Sequence, residues 1–252
     1  MILPGTYANG FAPRDGRPLY PELWKGCVGA WNPGLGVSGS TLRDQSGFQN
    51  NGTLTNGPTW AVNQGRYALS FDGVDDYVET SKSIIPIGVA SISTWVKASS
   101  LVEGYFVSEW SPNNMYLGVF SNNWIARSGD GASGASGLLS SSATVSVWTH
   151  LCAVRDASTL TLFVNGKNSA STTATSYQGG SGTSLKLARL GGTTYAACNL
   201  DDIRIYNRAL SAKEIRTLYT RRGIAYEMAP RRRSSVQVTT NRRRRIIIGG
   251  NR

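Results

Sequence analysis

Apolar and polar positions alternate with a period of two through most of the chain, in short runs broken by Gly, Asn and Asp. The clearest run is Tyr67 to Glu79, where Tyr67, Leu69 and Phe71 alternate with Ala68 and Ser70. Gly73 interrupts it, and Tyr77 and Val78 resume β-type chemistry. The same alternation marks Cys27–Trp31, Ala90–Lys97, Gly104–Trp110, Met115–Phe120, Trp124–Arg127, Ser184–Ala188 and Leu200–Tyr206. Val147–Arg155 and Leu160–Asn165 read as a hairpin, and Asn165-Gly166 is a tight-turn pair leading to a further strand. Residues 129–142 are Gly- and Ser-rich and predict a loop or a weak edge strand. Strands at spacings of about 8–12 residues predict an antiparallel sandwich or barrel. A helical period appears only after Ser211, where Ser211 and Glu214 form a capping-box pattern ahead of Ile215, Leu218 and Tyr219. Gly223 is a natural stop for that helix.

Composition agrees with this pattern. The 252 residues hold 29 Gly, 11 Tyr and 7 Trp but only 3 Met, a mixture suited to strands and turns. No apolar run approaches the ~20 residues of a membrane-spanning helix, and none is expected to insert. The first residues lack the pattern of a secretory signal, which predicts either another route or an earlier cleavage. The net charge of +11 is unevenly spread. Residues 221–252 hold ten Arg against one Glu, so nine of the eleven excess charges lie there and the body is nearly neutral. Cys27, Cys152 and Cys198 fit no zinc or redox spacing, and Cys152 lies inside an apolar strand pattern.

Candidate chemistry is sparse. Residues 44–60 are dense in Asp, Ser, Gly and Asn. Asp44 and Asn50 offer oxygens at the short spacing a hard cation prefers, although the same residues also build Asx-turns. Asp72, Asp75 and Asp76 crowd the corner after Phe71, and like charges this close require a cation, N–H donors or open water. The one histidine, His150, lies in a strand pattern and reads as a core residue, which disfavours Ser–His hydrolysis. Glu103 and Glu109 are the only mid-chain carboxylate pair, without a glycosidase spacing. An enzyme is therefore not expected. Trp110, Trp124 and Tyr195 lie beside Asn-, Ser- and Gly-rich loops and are candidates for stacking on sugar rings.

The segments GCVGAW, DQSGFQNNGTLTNGPTW, ALSFDGVDDYVE, SISTWVK, VWTHLCAVRD, LTLFVNG and LDDIRIYNRALSAKEI together resemble the LamG-like, concanavalin A-like jelly-roll domains over about residues 26–220. The resemblance implies an all-β, antiparallel two-sheet sandwich with one short C-terminal helix. It also implies a common structural Ca²⁺ site and frequent carbohydrate or protein binding through loops. Asp201 stands where related jelly rolls place a calcium-ligating Asp on the last strand. With Asp44, the backbone near Asn50, and at most one corner carboxylate, Asp72, it forms the expected ion site. A regular strand would point Asp202 to the opposite face.

Residues 1–25 and 223–252 fall outside this pattern and are expected to be an extended arm and an Arg-rich tail flanking a domain at 26–222. Arg231, Arg232 and Arg233, then Arg242, Arg243, Arg244 and Arg245, bracket β-type residues ending in Ile246, Ile247 and Ile248. Apolar strands between charge clusters favour anchoring to a partner protein over phosphate binding. Such appendages resemble those of virion structural proteins of tailed phages. That architecture implies a non-enzymatic adhesion protein on a capsid or tail, with virion subunits as partners, a homo-oligomeric state, and host glycans as ligands. A free, extracellular carbohydrate-binding lectin and a nucleic-acid-associated protein acting through the tail are the alternatives.

Overall fold

The computed structural model describes residues 18–63, 65–109, 114–129, 136–156, 158–173 and 183–227. In chain order the strands are β1 (Cys27–Trp31), β2 (Thr41–Leu42), β3 (Gly52–Thr55), β4 (Thr59–Asn63), β5 (Arg66–Asp72), β6 (Tyr77–Thr80), β7 (Ala90–Ala98), β8 (Glu103–Ser108) and β9 (Asn114–Phe120). They continue with β10 (Asn123–Gly129), β11 (Ser136–Ser142), β12 (Thr149–Arg155), β13 (Thr159–Val164), β14 (Lys167–Thr173), β15 (Lys186–Leu187), β16 (Arg189–Leu190), β17 (Thr194–Tyr195) and β18 (Ala197–Tyr206). The first sheet runs β14-β13-β12-β7-β18-β5-β4, with β1 also paired to β18. The second runs β11-β10-β9-β8-β15-β6-β3-β2, and β16 and β17 form a separate small ribbon. Every described pairing between these strands is antiparallel.

The alternation explains the layers. Inward residues of both sheets, among them Trp31, Leu69, Phe71, Ile92, Phe106, Leu117, Leu151 and Ile203, form one continuous core. Burying each such side chain stabilises the fold by about 1.5–3 kcal/mol. Both outer faces are also partly covered. On the first sheet, Cys27, Cys152 and Tyr206 pack beneath Leu23, Ile215, Leu218 and Ile224. On the second, Tyr105, Tyr116 and Ile125 pack under Leu190 of β16. The three cysteines are buried free thiols, and burial raises Cys27 to about 11, so none is poised as a thiolate.

The helix α1 (Ala212–Thr220) starts as its sequence dictates. Ser211 accepts from the Glu214 N–H while the Glu214 carboxylate accepts from the Ser211 N–H, closing a capping box. Its Ile215 and Leu218, three residues apart, share the buried face. Asn165 and Gly166 both take positive φ, 50° and 72°, and join β13 to β14 as a tight hairpin.

The packed body reaches beyond 26–222 on both sides. Trp24 and Tyr226 meet edge-to-face at 5.2 Å, and the fully buried Arg204 guanidinium lies 4.5 Å from each ring centroid. Arg204 also pairs with Asp202 at 3.0 Å, and the Leu19 N–H donates to the Glu227 carbonyl at 2.8 Å. The two ends of the described chain thus meet on the outer face of the first sheet. Residues 1–17 and 228–252, with the arm and the tail clusters Arg231–Arg233 and Arg242–Ile248, lie outside the described residues. No described helix is long and apolar enough to cross a membrane.

Candidate binding surfaces

The four expected ion ligands are not brought together. Asp44 Oδ1 accepts from the Ala30 and Ser46 N–H groups, and its Oδ2 from Ser46 Oγ and the Asn50 N–H. Its carboxylate is spent closing the 44–50 loop, which is the Asx-turn reading of that stretch. The Asn50 side chain is buried and donates to the Val28 carbonyl at 2.8 Å, leaving Oδ1 without a donor among the described residues. Asp72 faces Ala197 across β5–β18, four residues along β18 from Asp201, or roughly 13 Å.

Asp201 is completely buried, and its oxygens are already occupied. Oδ1 accepts from the Gly34 and Asp202 N–H groups at 3.1 and 2.9 Å. Oδ2 meets Arg66 Nε at 2.7 Å and Arg222 Nε at 3.2 Å. Burial raises the Asp201 carboxyl, and the two guanidinium groups oppose that rise. The calcium ion that the fold family implies does not fit these donors, because protein cations hold the carboxylate. Asp202 does not point away from Asp201 either. The β18–β7 register shifts between Asp201 and Arg204, and Asp202 takes φ 46°. This bulge puts both carboxylates on the outer face, between inward Leu200 and Ile203.

The corner after β5 does gather its three carboxylates, with oxygens of Asp72, Asp75 and Asp76 within 4.8 Å of one another. Backbone donors answer part of the charge: the Val74 N–H reaches Asp72 Oδ1 at 2.8 Å and the Asp72 N–H reaches Asp76 Oδ2 at 3.1 Å. Burial, with the Asp72 and Asp75 charges, raises the Asp76 carboxyl against the pull of that second donor. Gly73, at φ 83°, lies so close to β18 that a Cβ would come within 2.7 Å of the Ala197 Cβ. The corner is therefore pinned against the end of the β17–β18 connection.

Of the three aromatic candidates, Trp124 is a correction. It is only 2% exposed and packs edge-on to Phe106 in the central core, because the alternation of β10 turns it inward with Ala126. Trp110 lies outside the described residues. Tyr195 is half-buried on the outer side of the second sheet, and the sequence reading missed its two companions. Arg189 of β16 places its guanidinium 4.4 Å from the Tyr77 ring centroid and 5.2 Å from that of Tyr195. The two rings are 6.3 Å apart and tilted by 49°. Val78 is a core residue, so its neighbour Tyr77 faces outward; that alternation was the available signal. The Arg189 carbonyl accepts from Ser108 Oγ, and its Nη2 reaches the Gly192 carbonyl at 3.4 Å. The result is a platform of two tyrosines and one guanidinium beside the carboxylate corner.

His150 is buried but lies on the outer face of the first sheet, under α1. Its ring is 5.5 Å from Trp95 and 6.2 Å from Tyr219, and its Nε2 is 3.0 Å from Ser93 Oγ. Burial lowers it from its ordinary 6.5 to about 4. Trp95 stacks on Tyr219 at 5.9 Å on this face instead of entering the central core.

Two antiparallel sheets closed into a sandwich, capped by one helix, define a jelly-roll domain of the lectin type. Residues 72–216, more than half of the chain, match the Concanavalin A-like lectin/glucanases superfamily, and the chain belongs to it. No curated protein matches the chain in sequence. Among solved structures, the binding domain of Paraclostridial Mosquitocidal Protein 1 is similar at a TM-score of 0.66 and 17% identity, over 78% of this chain and 52% of that one. Domain 4 of AbnA, a GH43 extracellular arabinanase from Geobacillus stearothermophilus, in complex with arabinotriose, is similar at 0.64 and 18%, over 77% and 98%. The binding domain of botulinum neurotoxin DC in complex with rat synaptotagmin II is similar at 0.63 and 14%, over 79% and 52%. The chain matches about half the length of the toxin binding domains. At these identities the likeness is one of fold.

Proposed function

We propose that this protein is a non-enzymatic adhesion domain that binds glycans through the Tyr77–Arg189–Tyr195 platform. It is held on a larger assembly, a virion, by residues 1–17 and the Arg-rich tail. The observation that carries the reading is that the ends of the described residues and the platform lie on opposite sides of the sandwich. Leu19 and Glu227, near the ends of the described residues, meet over the first sheet, and the platform lies outside the second. A domain attached at its ends thereby presents the platform outward. Tyrosine rings supply surface for sugar C–H groups, while the Arg189 donors and the tyrosine hydroxyls suit sugar oxygens. Structural neighbours solved in complex with arabinotriose and with rat synaptotagmin II support a binding role. Partner subunits, self-association and the anchoring by Arg231–Arg233 and Arg242–Ile248 belong to the same proposal. The carboxylate pair Glu103 and Glu109 is not spaced for glycosidase chemistry. Glu103 and Glu109 flank the ends of β8, roughly 20 Å apart, against the ~5–9.5 Å such enzymes use. Glu109 instead accepts from Ser83 Oγ and the Ile84 and Ile85 N–H groups.

The test is a glycan array with the full chain and with Tyr195→Ala. The expected result is a defined set of retained glycans whose signal falls at least about tenfold in the variant, the loss of one stacking contact. An array without specific retention, or with equal retention by both proteins, refutes the platform. Deletion of residues 228–252 is expected to abolish capture by isolated virions while leaving glycan retention intact.

A further inference from the structure

The place expected to hold a cation carries the opposite charge excess. Two guanidinium groups meet one carboxylate at Asp201, and the second buried carboxylate, Asp202, is already paired with Arg204. Three arginines thus face two aspartates in this layer. The unsatisfied groups around Asp201 share one sign. Arg222 Nη1, Trp148 Nε1 and Asn32 Nδ2 are buried without a partner among the described residues, and all three are donors. Arg66 Nη2 reaches Asn32 Oδ1 at 2.8 Å, whereas Arg66 Nη1 and Arg222 Nη2 meet no acceptor among the described residues. Asp201 is already engaged: Oδ1 accepts from two N–H donors, and Oδ2 accepts from Arg66 Nε while pairing with Arg222 Nε.

The arrangement is built. The Arg222 guanidinium lies 4.0 Å above the Trp148 ring, which fixes its plane. The Arg66 guanidinium threads between two backbones. A Cβ on Gly34 or on Gly223 would come within 2.3 Å of it, so only glycine leaves that slot open. Side-chain exposure is 28% for Arg66 and 12% for Arg222.

We propose that the Arg66–Arg222 pair binds an oxyanion, either free sulfate or phosphate or the acidic group of a sugar. The guanidinium fork matches such groups bidentately, and partial burial strengthens the charge-assisted bonds. The site lies on the sheet opposite the Tyr195 platform and stands independently of the function proposed for it.

The experiment titrates the full chain with sodium sulfate, sodium phosphate and sodium glucuronate, with ionic strength held constant by sodium chloride. The arginine side-chain Nε–Hε resonances are followed by NMR. Saturating shifts at Arg66 and Arg222 are expected, with apparent affinity at least about tenfold weaker in Arg222→Gln. Tyr195→Ala is expected to titrate as the parent does. Saturation by the inorganic anions alone identifies a free tetrahedral ligand; saturation by glucuronate as well identifies the acidic sugar group. Shifts that never saturate, or equal curves in the parent and Arg222→Gln, overturn the site. If Arg222→Gln does not fold, the parent resonances decide: shifts confined to residues other than Arg66 and Arg222 overturn it.

Discussion

Single residues divide into those whose partners are local and those whose partners are remote, and this division sets what the sequence shows. The Ser211–Glu214 box and the Asn165–Gly166 turn are closed by neighbours, so residue type and spacing suffice. Asp201 is different. Its counter-charges come from Arg66, 135 positions away, and from Arg222, which lies beyond the helix. An acidic residue on a last strand then looks like a metal ligand, and nothing local reveals the guanidinium groups that replace the ion. Trp124 and Tyr195 illustrate the same limit. Both sheets are covered on both faces, so aromatic residues are plausible inward or outward, and alternation alone leaves the choice open. His150 yields a prediction at this scale. Its imidazole titrates near 4 when folded and near 6.5 when unfolded, so the unfolded chain binds the extra proton between those values. Stability is then fully present above pH 6.5 and falls as pH drops towards 4, by about 3 kcal/mol in total. Urea unfolding across that range is expected to show this loss in the parent and to lack it in His150→Gln. Equal pH profiles would remove the imidazole as its source.

Among the elements, the long alternating strands were legible because both their faces carry a clear period. The pairs β7–β12 and β12–β13 follow directly from such runs. The two-residue strands β16 and β17 were not, since so short a run has no period, and they hold Arg189 and Tyr195. The β18 bulge was equally invisible, yet it decides where two carboxylates point. A glycine slot links these elements to stability. In Gly34→Ala the new methyl group forces the Arg66 guanidinium off Asp201, and a cost of about 1–3 kcal/mol is expected. In an Arg66→Met background the same substitution should cost measurably less. A double-mutant cycle from chemical denaturation measures the coupling, and additive effects would show that the slot does not constrain Arg66.

At the scale of the whole molecule, an antiparallel sandwich or barrel was legible from strand spacing and turn chemistry, and the jelly roll from the family resemblance, but its limits were not. Residues 18–25 look like an irregular, Pro-rich leader, and their role appears only when Trp24 meets both Arg204 and Tyr226. A chain trimmed to 18–227 is expected to melt like the full protein. One trimmed to 26–222 loses Leu23, Trp24, Ile224 and Tyr226 and uncovers the Arg204–Asp202 pair. It should be destabilised by at least about 4 kcal/mol, read from thermal melts. Matching melts for the two fragments would make the clasp dispensable. The Leu19–Glu227 hydrogen bond carries a different consequence. Two backbones joined this way run about 5 Å apart, close enough to be spanned by the two stems of an ordinary surface loop. Residues 18–227 thus have the end geometry of a unit that can be spliced into a surface loop of another protein. By the same geometry its ends can be fused and new ones opened at the Asn165–Gly166 turn, giving a circular permutant with every ladder intact.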